Sequence, residues 1–136
     1  MSLNVALLRS SFELVVERQP QLTQRFYEVL FQRYPQAKAL FGRNTAVAQE
    51  KMLTDALVAG MDHLEDAPWL TTTLKHLGAK HKGYGVTQEM YGWVGASLLA
   101  TLSEVASSDW TPAHEVAWTE AYGAIAGLMQ AGAAEA

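Results

Sequence analysis

The chain carries a histidine at a position where a helix would normally present a leucine to the protein interior. Leu74, Leu77 and His81 are spaced three and four residues apart, which places them on one face of an α-helix. A neutral imidazole on an apolar face needs a partner, either a hydrogen-bond acceptor or a metal ion. On the spacing alone, a core histidine satisfied by a nearby acceptor is the commoner of the two.

The other three histidines are predicted to point away from this interior. His63 stands at a helix end beside acidic residues, His76 follows Lys75, and His114 falls in the first turn of the last helix. The chain contains no cysteine, which excludes disulfides, zinc–thiolate sites and thiol catalysis. Of the four histidines, His81 is thus the one predicted to face the interior, either as a core histidine or as a metal ligand.

Length and charge indicate one globular domain and argue against nucleic acid and membranes as partners. The 136 residues are 49% hydrophobic, which is enough for one domain over residues 1–136 with a core and a pocket. The net charge is −4 and charges of one sign do not form long runs, so the sequence shows no basic patch that would bind nucleic acid or an anionic membrane. The N-terminal residues do not resemble a signal peptide and no apolar stretch could span a bilayer, so we expect a cytoplasmic protein.

Helical periodicity runs through nearly the whole chain, so the sequence predicts an all-α protein. Thr111 is the expected N-cap of the last helix with Pro112 in its first position, and residues 131–136 are expected to fray. Ala56 and Gly60 are small enough to let another helix cross closely. The predicted helices run from about Leu3 to Gln19, from Pro20 or Gln21 onward, from Pro35 to Phe41, from about Thr45 to Leu64, from about Trp69 to Lys82, from Thr87 to Ala106, and from Thr111 onward.

Short motifs in a fixed order give this chain a family resemblance. The residues 26–31, Tyr34-Pro35 and Leu40-Phe41 resemble the second and third helices of a globin. Residues 49–53 resemble the distal stretch of bacterial haemoglobins, residues 78–81 the segment that holds the proximal histidine, and residues 98–102 and 118–123 the last two helices of the globin domain in flavohaemoglobins. The resemblance covers nearly the whole chain and implies a globin fold, with six or seven helices packed around a haem pocket.

The resemblance implies one haem b, with His81 as the axial ligand of its iron. A porphyrin fills four positions around iron, so one protein ligand suffices and the opposite face stays open for a gas. Phe41 matches the phenylalanine that packs on the haem, although packing in an ordinary core would bury it equally well. Lys80 is predicted to pair with a haem propionate, against the commoner outcome of an exposed lysine.

Two polar residues are expected on the open, distal side of the haem. Bound dioxygen becomes partly negative at its outer atom, so hydrogen-bond donors there strengthen binding. The resemblance assigns this role to Tyr27 and Gln49, with Leu53 one turn later as an apolar lid over the iron. Without the resemblance, Tyr27 would be interpreted as a core aromatic, Gln49 as a solvated polar residue and Leu53 as a core leucine.

A hydrogen-bonded triad is expected on the proximal side. Tyr91 resembles the tyrosine that joins the proximal histidine to a glutamate in flavohaemoglobins, and Glu135 is the matching carboxylate thirteen residues after Tyr122. An acceptor for the imidazole N–H raises the basicity of the ligand and favours O–O chemistry over storage. Glu135 lies in the segment expected to fray, which would leave the triad incomplete.

The function implied by the resemblance is reversible dioxygen binding, to which nitric oxide dioxygenation would be linked. The chain contains no glycine-rich phosphate loop, since Gly83-x-Gly85 lacks a third glycine, so electrons would come from an external reductase. Two alternatives stay open: a haem-based gas or redox sensor that acts through a partner protein, and a haem-free globin-fold interaction module. A monomer or a weak homodimer is expected.

Overall fold

The computed structural model describes residues 4–41 and 46–135, and the side chains of residues 40, 41, 46 and 47 are outside that description. Over these residues the secondary structure is helical, in agreement with the predicted all-α class. The two shorter segments, Pro35–Phe41 and Ser107–Asp109, are 3-10 helices. The α-helices are α1 (Val5–Arg18), α2 (Leu22–Arg33), α3 (Ala46–Asp62), α4 (Ala67–Gly83), α5 (Gln88–Ala106) and α6 (Pro112–Glu135).

Local side-chain chemistry fixes several of the helix ends. Asn4 accepts a hydrogen bond from the Leu7 amide at 3.2 Å at the start of α1, and Asp66 accepts one from the Trp69 amide at 3.1 Å at the start of α4. The predicted cap of α6 is confirmed, because Thr111 Oγ1 accepts from the His114 amide at 3.4 Å and Pro112 begins the helix. The prediction that residues 131–136 fray is wrong for residues 131–135, because α6 continues to Glu135.

The core consists of three contiguous clusters, and α5 contributes to all of them. The first joins α1, α5 and α6 around Leu8, Leu102 and Trp118. The second joins α2, α3 and α5, and the third joins α4, α5 and α6. Because α5 crosses all three clusters, it connects the part of the molecule that carries Tyr27 to the part that carries His81.

The expected close crossing at Ala56 and Gly60 is wrong. Ala56 is exposed, and no described atom lies within 4 Å of the position that a Cβ on Gly60 would occupy. The tight crossing lies between α4 and α6, where a Cβ on Gly78 would overlap the backbone of Met129. A small residue permits close approach of two backbones, but its presence does not determine which helix approaches.

The first cluster gives a direct test of the packing. Leu8 is 0% exposed, whereas Val16 on the same helix is 38% exposed. We expect Leu8→Ala to lower the free energy of unfolding by about 2–5 kcal/mol, because the change removes buried methyl groups and leaves a cavity. Val16→Ala is the matched control and should change that free energy by no more than about 0.5 kcal/mol. Urea denaturation measures both, and equal losses in the two variants would contradict the placement of α1.

The described residues include no helix of the length and hydrophobicity that a bilayer crossing requires.

Candidate functional site

His81 lies in the last turn of α4 with its two ring nitrogens in different states. Nδ1 is 2.8 Å from the backbone carbonyl oxygen of Leu77. A carbonyl oxygen can only accept, so Nδ1 carries the proton and donates it. In the tautomer with the proton on Nδ1, the lone pair is on Nε2, which is the atom that can bind a metal. The carbonyl bond therefore fixes both the tautomer and the orientation of the ring.

The backbone at His81 is held by the turn that ends α4. The His81 carbonyl accepts from the amide of Tyr84 at 3.0 Å and from the amide of Val86 at 3.1 Å. Gly85 has a φ of +89°, a conformation that a side chain would strain, so glycine is required for the chain to reverse there. The half-buried imidazole thus sits on a helix end that is closed by main-chain bonds.

Tyr27 and Gln49 are brought together by the packing of α2 against α3. The Tyr27 ring packs edge-on to Phe26 with centroids 5.0 Å apart and stacks on Phe31 at 5.9 Å. Burial raises the pKa of the Tyr27 hydroxyl, and a side-chain hydrogen bond with Gln49 acts in the opposite direction. The phenol is therefore neutral at physiological pH and able to donate.

Leu53 occupies the same region one helical turn after Gln49. It is half-buried and packs in the second cluster with Tyr27, Phe26 and Leu30. A hydrogen bond of 3.0 Å between the hydroxyls of Thr23 and Thr54 also joins α2 to α3. The three residues predicted for the distal side, Tyr27, Gln49 and Leu53, consequently lie close together.

Phe41 and Lys80 are the two further residues predicted to contact the haem. The backbone of Phe41 ends the 3-10 helix Pro35–Phe41, but its side chain lies outside the described part of the molecule, so its role stays a prediction. Lys80 is exposed on α4, beside the candidate ligand. That position suits either an ordinary surface lysine or a partner for a propionate.

Tyr91 and Glu135 have different neighbours in the structure. Tyr91 is 9% exposed and belongs to the third cluster, together with Leu77 of α4. The Glu135 side chain is 63% exposed, and its Oε2 lies 3.3 Å from Nζ of Lys75. No hydrogen bond joins Glu135 to Tyr91 in the described structure, so the triad stays a prediction.

The role of Tyr122 was not predicted from the sequence, where this residue served only to locate Glu135 thirteen residues later. The Tyr122 hydroxyl donates to the backbone carbonyl of Tyr91 at 2.6 Å. A Cβ on Gly95 would lie 2.6 Å from Cε2 of the Tyr122 ring, so the ring fills space that only glycine leaves. The sequence feature that could have indicated this role is the phenol itself, because the hydroxyl of a buried tyrosine needs a hydrogen-bond acceptor. Tyr122 thereby fixes the start of α5, where Tyr91 lies.

The donor set fits a metal that brings most of its own ligands. The described residues contain no group of three or more histidine, cysteine, aspartate or glutamate side chains that could hold a metal ion. A single imidazole with a free Nε2 suits an iron whose four in-plane positions are filled by a porphyrin. A half-open cavity of about 170 Å³ between α1 and α3, which includes Phe12 and Val58 in its lining, shares no residue with this site.

The buried tyrosines predict how stability depends on pH. Burial raises the pKa of Tyr27, Tyr91 and Tyr122 above the ordinary value of 10.0. The unfolded chain therefore loses these protons first as the pH rises, and the folded state is progressively destabilised above about pH 10. We expect the urea midpoint to fall between about pH 9 and about pH 11, and Tyr122→Phe to reduce that fall. A wild-type midpoint that stays constant over this range would contradict the burial of the phenols.

A family model for globins matches residues 24–129 of the chain. The matched range includes Tyr27, Gln49, His81 and Tyr91 and ends before Glu135. The match therefore extends from α2 through most of α6 and covers the predicted site residues except Glu135.

Curated relatives with similar sequences are flavohemoproteins. The flavohemoprotein of Bacillus thuringiensis subsp. konkukian is 32% identical over 126 residues, which cover 90% of this chain and 30% of that protein. The flavohemoprotein of Vibrio cholerae serotype O1 is 31% identical over 121 residues, which cover 88% and 31%. The chain thus spans about 30% of the length of these relatives.

Solved structures match the fold over nearly the whole chain. A bacterial globin from Campylobacter jejuni has a TM-score of 0.80 and 24% identity, with 96% of this chain and 94% of that chain covered. An engineered carbene transferase, derived from a candidate nitric oxide dioxygenase of Rhodothermus marinus, has a TM-score of 0.83 and 26% identity, with 96% and 91% covered. The helices that carry His81, Tyr27 and Gln49 therefore follow an arrangement found in solved globin structures.

Proposed function

The chain belongs to the globin family, and we propose that it is a haem protein that binds dioxygen reversibly at a haem b held by His81. In this proposal residues 1–136 form one globin domain. The observation that carries it is the bond from His81 Nδ1 to the Leu77 carbonyl at 2.8 Å. That bond leaves Nε2 as the free donor and orients it, which are the two requirements for an axial ligand.

The proximal side of the site holds the imidazole in place. Hydrogen bonding at Nδ1 makes Nε2 more basic, which strengthens its bond to a metal. Tyr91 packs with Leu77 in the third cluster, and Tyr122 holds the backbone of Tyr91 through the 2.6 Å bond to its carbonyl. We propose that Tyr91 and, through it, Glu135 adjust the electron density at the imidazole.

The distal side supplies donors and excludes water. When bound, haem iron supplies the open coordination position at which a diatomic gas binds and exchanges electrons. In this proposal the neutral Tyr27 hydroxyl would donate a hydrogen bond to the bound gas, and Gln49, already hydrogen-bonded to Tyr27, would orient that hydroxyl or donate as well. Leu53 restricts the approach of water and protons. In this proposal Phe41 would contact the porphyrin and Lys80 would pair with a propionate.

Nitric oxide dioxygenation is the activity that this donor arrangement favours beyond storage. One nitric oxide, one dioxygen and one electron give one nitrate, and the electron comes from an external reductase. Support comes from the similarity to the Rhodothermus marinus protein, a candidate nitric oxide dioxygenase, and to flavohemoproteins over their globin portion. Strong retention of dioxygen by Tyr27 favours this chemistry, since the second gas must arrive before the first departs.

Stopped-flow absorption of the haem-loaded, reduced protein tests both parts. We expect mixing with dioxygen to give a new spectrum that reverts on degassing, and subsequent nitric oxide to give nitrate and ferric protein in equal amounts. A spectrum that does not revert would overturn reversible dioxygen binding. Reversion without nitrate formation would remove the dioxygenase activity and leave a dioxygen-binding protein.

A further inference from the structure

Helices α4 and α6 meet through a reciprocal pair of glycines. A Cβ on Gly78 of α4 would overlap the backbone carbonyl of Met129, and a Cβ on Gly132 of α6 would overlap the backbone carbonyl of Lys75. Each glycine therefore receives the main chain of the opposite helix. Two backbones can approach this closely only where both lack a side chain.

The remaining glycines of these two helices do not behave this way. No described atom lies within 4 Å of the position that a Cβ would take on Gly83 of α4, or on Gly123 and Gly127 of α6. The close approach is thus confined to Gly78 and Gly132, which we call the glycine contact. The other glycines provide matched controls in the same secondary structure.

The glycine contact has a regular antiparallel register that leads to His81. Lys75 lies opposite Gly132, and Gly78, three residues later, lies opposite Met129, three residues earlier. His81 lies three residues after Gly78 on α4, and its neighbour Leu77 packs with Met129 and Ala126 of α6 in the third cluster. The contact therefore fixes α4 along the face that continues to the imidazole.

An ion pair marks the outer end of this contact. The Lys75 ammonium lies 3.3 Å from Oε2 of Glu135, and both side chains are substantially exposed. Exposed pairs contribute little to stability, so the glycine contact and not the ion pair holds the two helices at this distance. Lys75→Ala removes the ion pair and keeps the Lys75 carbonyl, so we expect it to leave the urea midpoint of unfolding near that of the wild type.

We propose that Gly78 and Gly132 are positioning residues that set how far His81 Nε2 extends toward the haem iron. The distance between these two atoms determines the strength of the iron–histidine bond. This inference rests on the proposed haem function. A methyl group at either glycine pushes the whole of α4 outward, because the obstacle is the main chain of the partner helix and cannot rotate away. The Leu77 carbonyl and the His81 ring move together on α4, so the hydrogen bond that sets the tautomer is kept. The distance from Nε2 to the haem iron is what changes.

The test compares Gly132→Ala with Gly127→Ala in the full-length haem protein. The readouts are the iron–histidine stretching band of the ferrous protein by resonance Raman and the rate of haem loss to an apoglobin acceptor. We expect Gly132→Ala to lower the frequency of the band and to speed haem loss by about 10–100-fold, as for changes that misplace a metal ligand. Gly127→Ala should leave both readouts near those of the wild type.

An unchanged band and unchanged haem loss in a folded Gly132→Ala protein would overturn the inference. If Gly132→Ala does not fold, hydrogen exchange on the wild-type haem protein decides. The amides of residues 75–81 and 129–135 should then show similar protection, whereas fast exchange confined to residues 75–81 would overturn the proposal. Failure of the wild type to take up haem would instead overturn the proposed function, so the two failures are distinguishable.

Discussion

His81→Ala is expected to abolish stable haem uptake. The structure offers one oriented imidazole donor at the proposed site, with Nε2 left free by the bond of Nδ1 to Leu77 at 2.8 Å. Loss of that donor should weaken haem binding by more than about 100-fold, since changes that only touch the partners of a metal ligand already weaken binding by about 10–100-fold. Titration with hemin, followed by the Soret absorption, measures the effect.

The matched control is His76→Ala, five residues earlier on the same helix and exposed. It should take up haem as the wild type does. Added imidazole should restore the Soret band of His81→Ala by occupying the space of the lost ring. Retention of the wild-type spectrum by His81→Ala would contradict the assignment, and absence of a Soret band in the wild type would favour the haem-free interaction module.

Tyr27→Phe is expected to speed dioxygen release by about 10–100-fold. A hydrogen bond to a charged group contributes about 1.5–3 kcal/mol, and each 1.4 kcal/mol corresponds to a factor of ten. The Tyr27 hydroxyl is half-buried, neutral and joined to Gln49, so its removal takes away a donor that is already oriented. Association should change less than release, because the bond forms after the gas has bound. Laser photolysis and rapid mixing give the two rates.

Tyr34→Phe removes the same atom from the same cluster and serves as the control. Tyr34 stacks on Trp93 with centroids 5.4 Å apart, and both pack in the second cluster with Tyr27. We expect its dioxygen release rate to stay close to that of the wild type. Equal acceleration in the two variants would indicate a general loosening of the cluster and would contradict the donor role of Tyr27.

The elements of the fold were largely accessible from the sequence. Proline and turn residues predicted the boundaries near Gln19, Pro35 and Thr111, and these agree with the structure to within a few residues. The helical spacing of Leu74, Leu77 and His81 predicted the face that α4 turns to its neighbours, and both leucines pack in the third cluster. Periodicity carries this information because burial of one face is a local property of the sequence.

Contacts between elements that are distant in the chain could not be predicted from the sequence. The crossing at Gly78 and Gly132 depends on which two helices meet, and glycine content alone pointed to Gly60. The bond from the Tyr122 hydroxyl to the Tyr91 carbonyl depends on the register of α6 against α5. The pairing of Glu135 with Lys75 likewise depends on where α6 ends relative to α4. Such partners are set by tertiary packing, which has no fixed spacing in the chain.

The central claim is that His81 Nε2 holds haem iron. Resonance Raman of the ferrous haem protein, prepared with natural histidine and with ¹⁵N-labelled histidine, tests it most directly. We expect an iron–histidine stretching band that moves to lower frequency on labelling and that is absent from His81→Ala supplied with haem. A ferrous protein without that band, or with a band that labelling leaves in place, would contradict the claim.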